Sequence, residues 1–159
     1  MRPSRVPPPL WMLLIALVMG AWHRYGAAGP VIPAPWNRLG AAVIALALLA
    51  PLAAIVQFWR ARTTVDPHRP ERARALVTSG VYAFTRNPMY LGLALLLLGW
   101  AMLLGDAAGF AGPPLFMWLI ERVQIRAEER RLSERFGEDY ATYVRHVNRW
   151  IGRRESRDR

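Results

Sequence analysis

Four apolar runs, residues 10–22, 39–59, 89–104 and 107–120, constrain this chain most, because none of them contains a charged side chain. A helix that crosses a bilayer needs about 20 mainly apolar residues, with roughly 17 as the lower limit. The pattern therefore predicts an all-α integral membrane protein with about four transmembrane helices. Its 159 residues leave room for one membrane domain, 1–159, and a 53% hydrophobic content gathered into blocks exceeds what a soluble domain of this size carries.

The net charge of +10 is sorted by membrane side. All 21 basic residues are Arg; six lie from Arg60 to Arg86, eleven from Arg122 to the end, and none between the third and fourth runs. The positive-inside rule makes the 60–86 segment and the C-terminal region cytoplasmic, and four spans then put both termini inside, as expected of an inner or cell membrane. A basic face against anionic lipid heads accounts for the sign of the charge, so no nucleic-acid partner is implied. Without Cys there is no thiol nucleophile or thiolate site, and His23, His68 and His146 have no ligand spacing, so no metal is expected. The absence of Lys excludes a Schiff base.

In chain order, residues 10–59 form the first two spans. Arg2 and Arg5 precede the first run, and Ala27 and Ala28 follow it as in a cleavable signal, but three further apolar runs favour a retained span. The Gly, Ala and Pro of 26–35 make an outer loop. Leu39 to Trp59 reads as one span bent at Pro51, which frees the carbonyl one turn earlier. Ala41, Ala45 and Ala53 are small enough for close helix contact, and such residues would also allow a homodimer.

From Arg60 to Thr85 the chain connects on the cytoplasmic side. Asp66 to Pro70 cannot be regular helix, whereas Glu71 to Val77 can. Thr78 to Gly80 then turn Val81 to Phe84 toward the membrane surface. Pro88 suits the first position of the third helix. A fourth helix from Pro113 can run to Phe136, with Gly137 as a left-handed cap, and it carries Glu121, Gln124 and Glu128 on one face. An acidic residue near membrane depth is a functional candidate. A cytoplasmic amphipathic helix follows, with Tyr140, Tyr143, Val144, Val147 and Ile151 at helical spacing, and 152–159 is a solvated tail.

The residues that can do chemistry gather at one level. Arg86 and Asn87 at a helix N-terminus offer donors to a carboxylate. Glu128 and Glu129 offer acceptors to an ammonium, and Tyr82, Phe84, Tyr90 and Tyr143 can stack on a ring or face a cation. A zwitterion with an aromatic base, such as S-adenosylmethionine, suits that set. Each residue also has a plainer role: Arg86 as a topological anchor, Tyr90 as an interfacial aromatic, the two Glu as partners of Arg122, Arg126, Arg131 or Arg135.

Arg86, Asn87, Pro88, Met89, Tyr90 and Gly92, then a hydrophobic stretch to Ile120, then Glu128 and Glu129, form an ordered series. It resembles the signature of the isoprenylcysteine carboxyl methyltransferase family, membrane methyltransferases that also resemble phospholipid N-methyltransferases: Arg-His-Pro-x-Tyr, a hydrophobic stretch, Glu-Glu. Leu132, Phe136, Gly137, Tyr140, Tyr143, Val147, Arg149 and Trp150 are similar to the usual tail, and the likeness covers 76–151. Asn87 departs from it, standing where the pattern most often has His; Asn can donate and accept but cannot titrate.

The resemblance implies a methyltransferase that binds S-adenosylmethionine at the cytoplasmic end of the last helices and takes a lipophilic or prenylated acceptor from the lipid side. Arg86, Asn87, Pro88, Tyr90, Gly92, Glu128 and Glu129 are the expected cofactor-binding set, with Pro88 and Gly92 acting through the backbone. Arg149, or Arg145, would position an acceptor carboxylate, and Glu121 or Glu128 would take the proton of an acceptor amine. Two alternatives remain at this stage. One is a membrane reductase of sterol-reductase type, with Arg130, Arg131 and Arg135 on the 2′-phosphate of NADPH. The other is a scaffold whose charges serve only topology.

Overall fold

The computed structural model describes residues 6–26, 29–60 and 76–153, with 50, 54 and 57–60 described by their backbone alone. Readings that rest on Arg2, Arg5, Ala27, Ala28, residues 61–75, 154–159 or the side chains of 57–60 lie outside the described residues.

Six α-helices appear among these residues: α1 (Pro8–Tyr25), α2 (Leu39–Ala47), α3 (Leu49–Arg60), α4 (Pro88–Leu104), α5 (Gly112–Ile120) and α6 (Arg126–His146). A π-helical turn, Glu121–Ile125, joins α5 to α6 without a break as far as Phe136. The described residues form no strand, only two isolated bridges, Pro30 with Asp106 and Val147 with Arg153.

Helix α4 is the centre of the bundle, touching α1, α2, α3 and α5. Leu97, Ala101, Phe116, Ile120 and Ile125 are fully enclosed between these helices, with Ile15 and Met19 of α1 closing the layer. The opposite face of α1, Leu10, Leu13, Leu14, Leu17 and Val18, is exposed at the same helical spacing. Apolar residues on both faces suit a helix between protein and lipid rather than between protein and water. Trp36–Ala53 is the described helical stretch long and apolar enough to cross a bilayer, with 18 residues at mean hydropathy 1.5; α4 has 17 residues.

The expected single span from Leu39 is interrupted at Leu48. Pro51 has no N–H to give to the Ala47 carbonyl, and the flanking bonds, Leu48 N–H to Ile44 and Leu52 N–H to Leu48, stretch to 3.3 and 3.4 Å. Glycine at 92 lets α4 lie against this break: a Cβ there would sit 2.8 Å from Pro51 Cδ and 3.1 Å from the Ala47 oxygen. The small residues in contact are Gly40 and Ala47 of α2 with Gly92 and Gly99 of α4, whereas Ala41 and Ala45 are exposed. Positions 40, 44, 47 and 51 share one face, and 41 and 45 fall on the next.

At the far end, Asp106 is buried, accepting the Gly109 N–H at 2.7 Å through Oδ1 and facing the His23 ring at 3.0 Å through Oδ2. At the near end, Gly137 kinks α6 with φ +49° and ψ −119°; its φ is positive, as the left-handed cap expected there requires, but its ψ lies outside the left-handed helical region. The helix beyond it stops at His146, not Ile151. Val147 is extended, Ile151 is exposed, and the chain doubles back onto residues 83–87. Gly152 donates to the Phe84 carbonyl at 2.8 Å and Arg153 Nε to that of Ala83 at 3.1 Å, so 152–153 belong to the fold rather than to a solvated tail.

Candidate functional site

Residues 84–87 enter α4 between a 3₁₀ turn, Gly80–Ala83, and Pro88 at the first helical position. The residue before a proline is pushed out of the helical region, and Asn87 is accordingly open, at φ −132° and ψ 58°. The returning strap 147–153 is laid along this loop. Arg86 N–H donates to the Asn148 carbonyl at 3.1 Å, and Asn87 Nδ2 and Thr85 Oγ1 donate to the Arg149 carbonyl at 3.0 and 3.4 Å.

That seam brings four of the expected residues together. Arg86, with 8% of its side chain exposed, sets Nη1 2.9 Å from Glu129 Oε1 and 3.3 Å from the Tyr140 hydroxyl. Arg149 forks onto Glu129, Nε to Oε1 at 2.9 Å and Nη2 to Oε2 at 2.6 Å, and its Nη1 reaches Glu121 Oε1 at 3.0 Å. Arg126 also pairs with Glu121, at 2.9 Å. Eight residues of α-helix would rotate Glu121 and Glu129 about 80° apart, and the wider π turn between them reduces that angle, so one guanidinium can reach both. The bond between Glu121 and Arg126, five residues apart, follows the same widened pitch.

Glu128 belongs to a second, drier group. Its Oε1 accepts the Tyr90 hydroxyl at 2.7 Å and Gln124 Nε2 at 2.9 Å, and Gln124 is wholly buried. Burial pushes the Glu128 carboxyl up to about 7, against the lowering effect of those two hydrogen bonds. The carboxylate contacts of Arg149, those with Glu129 first, raise its pKa as well and favour the charged guanidinium.

Of the nine expected site residues, Arg86, Glu129, Arg149 and Glu121 thus form one charged cluster, and Tyr90 and Glu128 the dry pair beside it. Asn87 bonds the strap, Pro88 starts the helix, and Gly92 faces the α2–α3 break. Tyr140, Thr85 and the strap backbone were not expected here. A spacing of 54 residues separates Tyr140 from Arg86, and no local pattern carries such a contact. Arg145 pairs with Glu138 in solvent, away from the cluster. Arg130, Arg131 and Arg135 each already engage another group. A cavity of about 790 Å³ opens between Leu76, Ala83, Phe136, Asp139, Tyr143 and Arg153, and none of the nine residues lines it.

The model of phospholipid methyltransferases matches residues 36–139, from the turn just before α2 into α6, and takes in Arg86, Tyr90, Glu121, Glu128 and Glu129. The chain belongs to the phospholipid methyltransferase family. An uncharacterized protein of Haemophilus influenzae is 40% identical over 63 residues, 40% of this chain and all of that protein. A protein-S-isoprenylcysteine O-methyltransferase of Schizosaccharomyces pombe is 32% identical over 94 residues, 59% of this chain and 40% of its own. Protein-S-isoprenylcysteine O-methyltransferase B of Arabidopsis thaliana is 28% identical over 111 residues, 70% of this chain and 56% of its own. The chain spans about half the length, or less, of these named methyltransferases. The resemblance drawn from the Arg86-to-Glu129 series agrees with both the family model and these relatives.

Proposed function

We propose that this chain is an integral-membrane methyltransferase that uses S-adenosylmethionine and modifies a carboxylate or amine on a lipophilic acceptor. The observation that carries the proposal is the half-buried Arg86–Glu129 pair, built from the two ends of the family series at the mouth of an apolar bundle. A scaffold needs no such pair, and no observation favours NADPH.

The donor set fits a cofactor with an amino-acid head. Arg86 Nε is buried without a hydrogen-bond partner, leaving a donor for a carboxylate. Glu129 offers an ammonium its acceptors, and Tyr90 and Glu128 offer a hydroxyl and a carboxyl for the nucleoside side. The bound cofactor would supply an electrophilic methyl group on a sulfonium. The protein's part is then alignment and exclusion of water, to which the apolar wall of α4 and α5 contributes. A carboxylate acceptor arrives ionised and needs a cation, the role assigned to Arg149. An amine acceptor must lose a proton, for which Glu128 or Glu121 is placed. In this reading the four apolar runs cross the membrane, the site faces the cytoplasm, and the exposed side of α1 lies against lipid.

The test is thermal unfolding of the detergent-purified protein with S-adenosylmethionine, S-adenosylhomocysteine, NADPH or no ligand. A ligand at 100 times its Kd adds about 2.7 kcal/mol to the folded state. Stabilisation by the two adenosyl compounds, lost in Glu129→Gln, is the expected result. A shift with NADPH alone, or with nothing, overturns the proposal.

A further inference from the structure

Both oxygens of Glu129 are taken. Arg149 holds Oε1 and Oε2 together, and Arg86 adds a third contact at Oε1. An incoming ammonium can gain full contact with this carboxylate only if one guanidinium withdraws, and the two differ in how easily they can. Arg86 is nearly enclosed, shares its guanidinium with Tyr140, and leads directly into α4. Arg149 has 30% of its side chain exposed, sits on an irregular strap, and already touches a second carboxylate, Glu121. Its main chain is held independently, because Asn87 and Thr85 bond its carbonyl rather than its side chain.

We propose that Arg149 is an exchange residue: it occupies Glu129 in the empty protein, yields that carboxylate to the cofactor's ammonium, and is thereby released to bind the anionic group of the acceptor. The inference rests on the cofactor reading above. With the backbone held separately, the exchange needs only a swing of the partly exposed side chain, with Glu121 keeping the released charge near the site. Cofactor occupancy and exposure of the acceptor-binding cation become one event, so each ligand strengthens the other's binding by the same factor. The alternative, in which Arg149 merely staples the strap to α6, makes the opposite prediction: removing it loosens the site and weakens every ligand.

Calorimetric titration of the full-length protein in detergent separates the two. The probes are S-adenosylhomocysteine, which has an ammonium, and 5′-methylthioadenosine, which has none. Arg149→Gln removes the competitor, so it is expected to bind S-adenosylhomocysteine about five-fold or more tightly than wild type while leaving methylthioadenosine unchanged. Glu121→Gln removes the resting place of the released guanidinium and is expected to weaken S-adenosylhomocysteine binding; it keeps the test alive if Arg149→Gln does not fold. Unchanged or weaker S-adenosylhomocysteine binding in Arg149→Gln overturns the exchange, as does equal tightening of both probes. If Arg149→Gln does not fold, unchanged or tighter binding in Glu121→Gln overturns it. Failure of the wild type to bind S-adenosylhomocysteine at all overturns the cofactor reading itself, a result visible before any variant is compared.

Discussion

Glu128 and Glu129 are neighbours in the chain with opposite electrostatic surroundings. Glu129 is clamped between Arg86 and Arg149, while Glu128 accepts hydrogen bonds from two uncharged donors, Tyr90 and Gln124, in a buried setting. The pair therefore divides into a carboxylate bonded to two guanidiniums and a carboxyl whose proton is retained toward neutral pH.

That difference gives a pH dependence. Glu128 is pushed up from an ordinary 4.5 to about 7, so between those values the unfolded chain has lost a proton that the folded protein keeps. Stability from this group is complete below about 4.5, falls as pH rises through about 7, and levels off above it. The full change is on the order of 3 kcal/mol. Glu128→Gln is expected to flatten the melting-temperature profile between pH 5 and pH 7.5, roughly, relative to wild type; parallel profiles would show that Glu128 titrates normally.

Arg86 and Glu129 predict a cost of another kind. Removing one partner of an enclosed ion pair leaves the other charge without compensation, typically at about 3–5 kcal/mol. Glu129 retains Arg149, so Arg86→Gln is expected at or below the lower end of that range, with weakened binding of S-adenosylhomocysteine. Arg86→Lys should not restore it, since an ammonium cannot serve Glu129 and Tyr140 with the same planar geometry. Melting temperatures and titration of the three proteins check this.

Gly92 is required by shape. An Ala Cβ would press on Pro51 Cδ, a ring atom tied to the main chain, and on the backbone oxygen of Ala47, neither of which can swing aside, so α4 must move away from the break. Gly92→Ala is expected to destabilise by about 1–3 kcal/mol and Gly92→Leu by more. If the Leu variant melts with wild type, the α3–α4 contact is wrong.

Much of this architecture can be read from sequence because its causes are local. Uncharged runs, Pro88 at a helix start and Gly137 at a break each act within a few residues. Glu128, Glu129, Arg86 and Tyr90 are recognisable because their order along the chain is itself a pattern. The strap is different. Val147 and Ile151 continue the spacing of Tyr140, Tyr143 and Val144, so the segment reads as helix, and only its hydrogen bonds to residues 83–87, more than 60 positions away, decide otherwise. The π turn at 121–125 has no compositional mark, although it is what lets Arg149 reach both Glu121 and Glu129. His23 and Asp106, 83 residues apart, are invisible for the same reason.

Asn87 joins the two kinds of information, since the family pattern most often has His at this position and the structure gives the side chain a definite task. Its Nδ2 donates to the Arg149 carbonyl at 3.0 Å, so the requirement is for a donor rather than a titrating group. A neutral imidazole has one N–H and can meet that requirement, whereas a carboxylate would face the carbonyl with a second acceptor. Asn87→His is therefore expected to melt near wild type, and Asn87→Asp to lose about 1–3 kcal/mol through an unsatisfied pair. The loss should also be visible locally: in the Asp variant the Arg86 and Gly152 amides, which bond across the same seam, exchange with deuterium faster. Equal exchange in the two variants would mean that the strap is held without Asn87, and the His-to-Asn departure would then have no structural consequence at this site.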